Sequence, residues 1–181
     1  MTLADDVDSI KRFKGGDLSA FEGLVRTHQD RIYNLCRYML QDSQDAQDAA
    51  QDVFVKAYAG LKAFKPDASL YTWLYRIAVN TCLDYKRKSR RERFEDESIA
   101  EEQPSTEPSA ERIYESKEMG QAIQAALQKL PEHLRAAIVL KEIEELSYEE
   151  IAVVLDTSLG TVKSRISRAR EELRRLLQKK V

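Results

Sequence analysis

The sequence is poor in the residues that interrupt helices: 6 glycines and 4 prolines among 181 residues. Its apolar residues recur at spacings of three and four, so an all-α fold is expected rather than a sheet. Cysteine is scarce as well. Cys36 and Cys82 are far apart in the chain, with neither a CxxC pair nor a nearby histidine, which argues against a zinc site and for two buried thiols in a reducing compartment. The only histidines, His28 and His133, stand alone. No run of about 18 apolar residues occurs, and the segment from Met1 to Phe13 is acidic and amphipathic rather than basic and then apolar. The expectation is a cytoplasmic chain with no direct membrane insertion, no bound metal and no cofactor.

A basic excess is also lacking. The net charge of -2 argues mildly against a protein that coats nucleic acid, which needs surplus Lys and Arg to neutralise phosphates. The charges are segregated, however. Residues 86–93 read KRKSRRER and residues 163–175 read KSRISRAREELRR, whereas residues 95–107 carry only acidic charge. No basic residue interrupts Tyr38 to Val55, where Asp42, Asp45, Asp48 and Asp52 fall. Separate basic and acidic working surfaces follow from this pattern.

What is abundant is helical periodicity. Helices are predicted at Leu3–Lys14, Leu18–Leu40, Ser43–Phe64 and Leu70–Arg93, with breaks at Gly15-Gly16, Asp42-Ser43 and Lys65-Pro66-Asp67. The segment FEDESIAEEQPSTEPSAE has almost nothing to bury and reads as a flexible acidic tether over residues 95–111. It joins a four-helix domain, residues 1–94, to a second helical domain, residues 112–181. In the latter, Ala110–Leu130 and Glu132–Ile143 are predicted helices flanking Pro131. Ser147-Tyr148-Glu149-Glu150 is a capping-box pattern opening a short helix that ends near Leu155. Asp156-Thr157-Ser158 turns the chain into a basic helix from Leu159 to about Leu177. Short helix, polar turn and longer basic helix is the order of a helix-turn-helix.

On that last helix Val162, Ile166, Ala169, Leu173 and Leu176 form an apolar stripe. Ser164, Ser167, Arg168 and Arg175 then fall on the opposite face, flanked by Lys163 and Arg165. The face suits a major groove: its small or hydrogen-bonding side chains beside a bidentate Arg suit reading base edges, while Thr161, Arg165 and Arg170 touch phosphates. On the helix from Leu70, an inner stripe of Leu70, Leu74, Ile77, Thr81 and Tyr85 leaves Arg76, Asn80 and Arg87 in a polar stripe, with Trp73 and Asp84 at its edge. Asn is a poor residue inside a helix, so Asn80 needs a buried partner or a ligand. Phe64, Tyr71, Trp73, Tyr75 and Tyr85 crowd this region, and aromatics beside Lys and Arg are what single-stranded nucleic acid stacks on. Asp45, Asp48 and Asp52 share one helical face with Gln51 alongside. DNA would repel that face, so it reads as a docking surface for a basic protein, with Val53 and Phe54 as apolar anchors.

Three stretches carry a resemblance: DAQDAAQDVFVKAY at 45–58, YTWLYRIAVNTCLDYKRKSRR at 71–91, and LSYEEIAVVLDTSLGTVKSRISRAREELR at 146–174. Together they resemble the extracytoplasmic-function subgroup of the sigma-70 family of RNA polymerase sigma factors, and with the domain order they span nearly the whole chain. The resemblance implies a region 2 domain, a region 4 helix-turn-helix domain and a role in promoter recognition and melting. By it, Asp45, Asp48, Gln51, Asp52, Val53 and Phe54 grip the β′ clamp helices of core RNA polymerase, and the second domain meets the β flap. The minus-ten element is captured partly single-stranded near Phe64, Lys65, Asp67, Ala68, Ser69 and Leu70, with Lys56, Trp73, Arg76, Asn80 and Arg87 nearby. The minus-thirty-five element falls to Lys163, Ser164, Ser167 and Arg168. An anti-sigma factor, in this family frequently membrane-anchored, is a further implied partner.

Two other readings compete. A dimeric helix-turn-helix regulator would need a dimerising or ligand-binding domain, and no sustained heptad is present. An enzyme acting on nucleic acid would need convergent carboxylates or a positioned histidine, whereas the aspartates here lie along an exposed face.

Overall fold

The computed structural model describes residues 3–65, 69–95 and 111–178, which form eight α-helices with no strand among the described residues. The first half holds α1 (Leu3–Lys14), α2 (Leu18–Met39), α3 (Ser43–Leu61) and α4 (Leu70–Glu95). The second holds α5 (Glu111–Lys129), α6 (Glu132–Glu142), α7 (Tyr148–Val154) and α8 (Leu159–Gln178). The expected tether lies mostly outside the described residues.

Local chemistry sets the boundaries. Gly16 takes φ 100° in the turn after α1, a conformation that residues with a Cβ avoid. Asp17 then caps α2 by accepting from the Ser19 amide at 3.0 Å, and its carboxylate is also held by Arg12 at 2.7 Å. Asp42 caps α3 by accepting from the amides of Gln44 and Asp45 at 2.7 and 2.9 Å. Helix α3 stops at Leu61, short of the expected Phe64, because the chain tightens: Ala63 donates to the Gly60 carbonyl and Phe64 to that of Leu61. Ser69 opens α4, its hydroxyl accepting from the Thr72 amide at 3.1 Å.

Helix α4 buries more of its surface than its expected stripe. Leu70, Leu74 and Thr81 are inside as read from spacing, but so are Tyr75, Ala78, Val79 and Cys82. The reason is tertiary: α2 and α3 cover one side of α4 and α7, from the second half, covers another. Cys36 and Cys82 meet across α2 and α4, and a sulfur hydrogen bond together with burial holds the Cys82 thiol well above its usual value. Such a thiol is unreactive at neutral pH. His28 is buried against Asp6 of α1, 3.5 Å away, so it is not the isolated residue the sequence suggests.

The two halves share one continuous apolar core. What joins them is the C-terminal end of α2, whose last carbonyls have no partner within the helix. Gln124 of α5 donates to the carbonyls of Arg37 and Leu40, and Gln128 to those of Tyr38 and Leu40 at 3.1 and 3.0 Å. Arg135 of α6 reaches the Met39 carbonyl at 2.8 Å and, with its other nitrogens, the carbonyls of Leu127, Gln128 and Leu130 at 2.7 to 2.9 Å. One guanidinium thus closes the ends of α2 and α5, where both helix dipoles present negative charge. Burial lowers its pKa to about 10, against the opposing charge of Glu132, so it remains protonated at neutral pH.

The expected capping box of α7 is complete. The Ser147 hydroxyl accepts from the Glu150 amide at 3.2 Å, and Glu150 accepts from the Ser147 amide at 2.8 Å. Replacing Ser147 by Ala is expected to lower stability by about 1 kcal/mol. Urea unfolding followed by far-ultraviolet dichroism measures it, and an unchanged midpoint would show that the box contributes nothing.

Candidate nucleic-acid interface

Helix α8 presents the face expected of it. Val162, Ile166 and Ala169 are buried and Leu173 and Leu176 pack against the core, which turns Lys163, Ser164, Ser167 and Arg168 outward to solvent. The entry to α8 is fixed by Ser158, whose hydroxyl accepts from the Thr161 amide at 3.1 Å and meets the Thr161 hydroxyl at 2.9 Å. The Thr161 hydroxyl is thereby part of a cap, and Ser164 donates to the Thr161 carbonyl at 2.9 Å. Arg170, expected at phosphates, is exposed. It is paired with Glu142 of α6 by two bonds of 3.0 and 2.6 Å, and Arg165 is half-buried at the edge of a cleft between the halves.

The α4 surface is built around Trp73. This ring packs on Phe64 at 5.1 Å between centroids, and it lies so close to α3 that a Cβ on Gly60 would stand 3.0 Å from it. Gly60 is therefore needed for α3 and α4 to approach with the indole between them. Phe64 and Leu70 are core side chains, which corrects the expectation that they contact a base directly. Their role is to hold Trp73 and the start of α4. Lys65 is exposed, Ser69 serves as the cap, and Asp67 and Ala68 lie outside the described residues. Lys56 donates to the Thr81 hydroxyl at 2.9 Å and lies 4.0 Å from Asp84, which also pairs with Arg87 at 3.0 Å. Asn80 is exposed, and with Arg76 and Arg87 it lines a cleft of about 730 Å3 whose other walls include Arg165, Asp156 and Pro131. Lys86 enters the same cleft, where burial and the charge of Arg135 lower its pKa to about 8.

On α3, Gln51 and Asp52 are exposed and Asp45 and Asp48 half-exposed, so the acidic face exists as expected. Asp52 accepts from the Tyr85 hydroxyl of α4 at 2.9 Å; burial and this carboxylate together push the phenol up to about 12. Gln44 donates to Asp48 at 3.1 Å. Val53 is wholly buried and belongs to the core, which corrects its expected role as an anchor for a partner. Phe54 is partly buried, and the apolar side chain that α3 does expose is Val55, at 68%.

Reasoning from spacing missed the residues that join the halves: Arg31, Gln124, Gln128, Arg135 and Glu144. Arg135 carried a signal, since a lone charge within LRAAIVL must find buried partners. The others had none.

The architecture and faces match known proteins. Residues 24–92 match Sigma-70 region 2, and residues 120–173 match Sigma-70, region 4. The RNA polymerase sigma-H factor of Pseudomonas aeruginosa is 39% identical, over 98% of this chain and 96% of its own length. The ECF RNA polymerase sigma factor SigW of Bacillus subtilis is 40% identical, over 93% of this chain and 95% of its own. The chain belongs to the extracytoplasmic-function sigma factors.

The solved structure of CnrH with the cytosolic domain of CnrY superposes on this sigma factor with a TM-score of 0.72, 29% identity, and coverage of 98% of this chain and 99% of that one. The Bartonella quintana sigma factor RpoE, solved with the anti-sigma factor NepR, gives a TM-score of 0.74 and 27% identity, covering 89% of this chain and 98% of that one. The first half of the sigma factor is accordingly region 2 and the second region 4, and its work is promoter-directed initiation by RNA polymerase. No described helix is long and apolar enough to cross a membrane.

Proposed function

We propose that this sigma factor acts in the cytoplasm without catalysis of its own, docking through the acidic face of α3 on the β′ clamp helices and reading promoter DNA with α4 and α8. The observation that carries this reading is the outward face of Lys163, Ser164, Ser167 and Arg168 on α8, behind a capped short helix and turn. These side chains read the minus-thirty-five element. Around Trp73, the stripe of Arg76, Asn80 and Arg87 accepts the minus-ten element as a partly separated strand, helped by Lys56 and Lys65. The acidic face, DNA-repelling, is left for the polymerase, and region 4 meets the β flap. An anti-sigma factor that blocks the polymerase-binding surfaces is the expected negative regulator, as CnrH and RpoE were solved with CnrY and NepR.

Separating base pairs costs roughly 1.4 kcal/mol per stacked step, and a flipped base costs a few kcal/mol more. Stacking on an aromatic returns about 1 to 3 kcal/mol per base. One partly exposed indole cannot supply the difference, so promoter melting requires the core enzyme. A promoter fragment carrying a fluorescent base in the minus-ten region tests this. The signal is expected to rise with sigma factor plus core and to stay flat with either alone. Efficient melting by the free chain would overturn the proposal.

A further inference from the structure

The two halves touch at more than the end of α2. In the loop between α6 and α7, Glu145 takes φ 56°, a left-handed turn that aims Glu144 back across the interface. Its carboxylate accepts from the Tyr75 hydroxyl, while the Tyr71 hydroxyl lies 3.4 Å from Glu144 Oε2 and 2.6 Å from the Tyr75 oxygen. Arg31 of α2 completes the socket by donating to Tyr71 at 3.1 Å, with its guanidinium 5.5 Å from the Tyr71 ring centroid. Tyr71 and Tyr75 themselves stand edge to face, 4.2 Å between centroids. Tyr75 is fully buried, and burial raises the Glu144 pKa although both tyrosines and Arg31 oppose the shift.

A second contact lies further along the same helix. Asp156, in the turn before α8, is the other non-glycine residue with positive φ among the described residues, at 48°, and it stands 3.5 Å from Arg76. Arg76 and Asn80 of the α4 stripe therefore share one cleft with Asp156 and Arg165 of region 4, the Arg76 and Asn80 side chains remaining exposed at its mouth. A strand reaching Arg76 along that stripe would meet Asp156 of the α7–α8 turn and have to displace it.

We propose that Glu144, seated in the socket of Arg31, Tyr71 and Tyr75, latches the free chain in a closed state that withholds the α4 stripe from single-stranded DNA. The inference rests on the reading of that stripe as the minus-ten surface. A latch of this chemistry is specific without being strong, because desolvation of the carboxylate cancels much of what its partners return. It can therefore yield when polymerase separates the halves. Glu144 and Arg31 lie outside the surfaces assigned to promoter or polymerase, and Tyr75 is wholly buried, so substituting Glu144 or removing the Tyr75 hydroxyl leaves those contacts in place.

The test uses the full chain with exposed labelling sites at Glu22→Cys on α2 and Glu171→Cys on α8; the native cysteines are buried. Single-molecule energy transfer on the free protein is expected to show one compact population. Glu144→Arg, which sets a cation against Arg31, is expected to shift most molecules to a broad, low-transfer population. The same variant is expected to bind fluorescent single-stranded DNA of randomised sequence at least tenfold more tightly. Tyr75→Phe, a smaller change, should give an intermediate shift in both readouts, and helicity by circular dichroism checks that each variant is folded. An unchanged transfer distribution in both variants, or opening with no gain in DNA affinity, overturns the latch. Run-off transcription with core polymerase separates the two ideas. Promoter-specific transcripts without latch behaviour sink only the latch, whereas opening without any such transcript sinks the minus-ten reading.

Discussion

Reversing Asp48 and Asp52 together to lysine is expected to weaken binding to core RNA polymerase at least 100-fold, a change of about 2.8 kcal/mol. The physical basis is charge complementarity. A stripe that excludes DNA attracts a basic protein surface, and two reversed charges replace attraction by like-charge contact, which costs several kcal/mol at a desolvated interface. Asp52 needs a control because it also accepts from Tyr85, so its loss could loosen α4 on α3. Asp52→Asn keeps an acceptor for that hydroxyl and removes only the charge. It should weaken binding by a smaller factor, about tenfold, and more so at low salt than at high. Asp30→Lys, an equivalent reversal on the exposed side of α2, should leave affinity within about twofold. Fluorescence anisotropy of labelled sigma factor titrated with core measures all three. If the double variant binds as wild type does, α3 is not the docking face.

The second large effect is on the fold. Arg135→Met is expected to destabilise the protein by roughly 3 kcal/mol, lowering Tm by about 6 to 12 °C. Methionine preserves much of the volume and removes the charge that was costly to bury, but it leaves the carbonyls of Met39, Gln128 and Leu130 without their donor and that of Leu127 with only the Leu130 amide. Unsatisfied buried acceptors outweigh the desolvation relieved. Arg135→Lys should recover little of this, since an ammonium cannot reach four carbonyls arranged around a planar fork. Scanning calorimetry decides: a Tm within about 2 °C of wild type for Arg135→Met would mean that water or repacking satisfies the carbonyls instead.

Much of the fold was legible because its determinants are local. The bounds of α1 agree with periodicity, and those of α2, α6 and α8 differ from it by about one residue, since Asp17, Ser147 and the apolar stripes act within a turn or two of themselves. The outward side chains of α8 followed from the same arithmetic: once Val162, Ile166 and Ala169 are buried, Lys163, Ser167 and Arg168 have nowhere else to point. The acidic face of α3 was visible for the same reason. Val53 was misread because it adjoins the acidic stripe in sequence yet lies toward the core, and Phe64 and Leu70 because a loop flanked by apolar and aromatic residues gives no sign of which side chains turn inward.

The sequence by itself determined most helix bounds, the capping box of α7 and the family, because each depends on spacing along one chain segment and on short-range hydrogen bonding. Only the tertiary structure decided how the halves meet. Arg135 finds the end of α2, Glu144 finds Arg31, Tyr71 and Tyr75, and Asp156 finds Arg76 across separations that no periodicity encodes. Those pairings also decide what the outward side chains face in the unbound chain: Lys163, Ser167 and Arg168 stand in solvent, whereas Arg76 and Asn80, though exposed, line a cleft whose other wall is the second half.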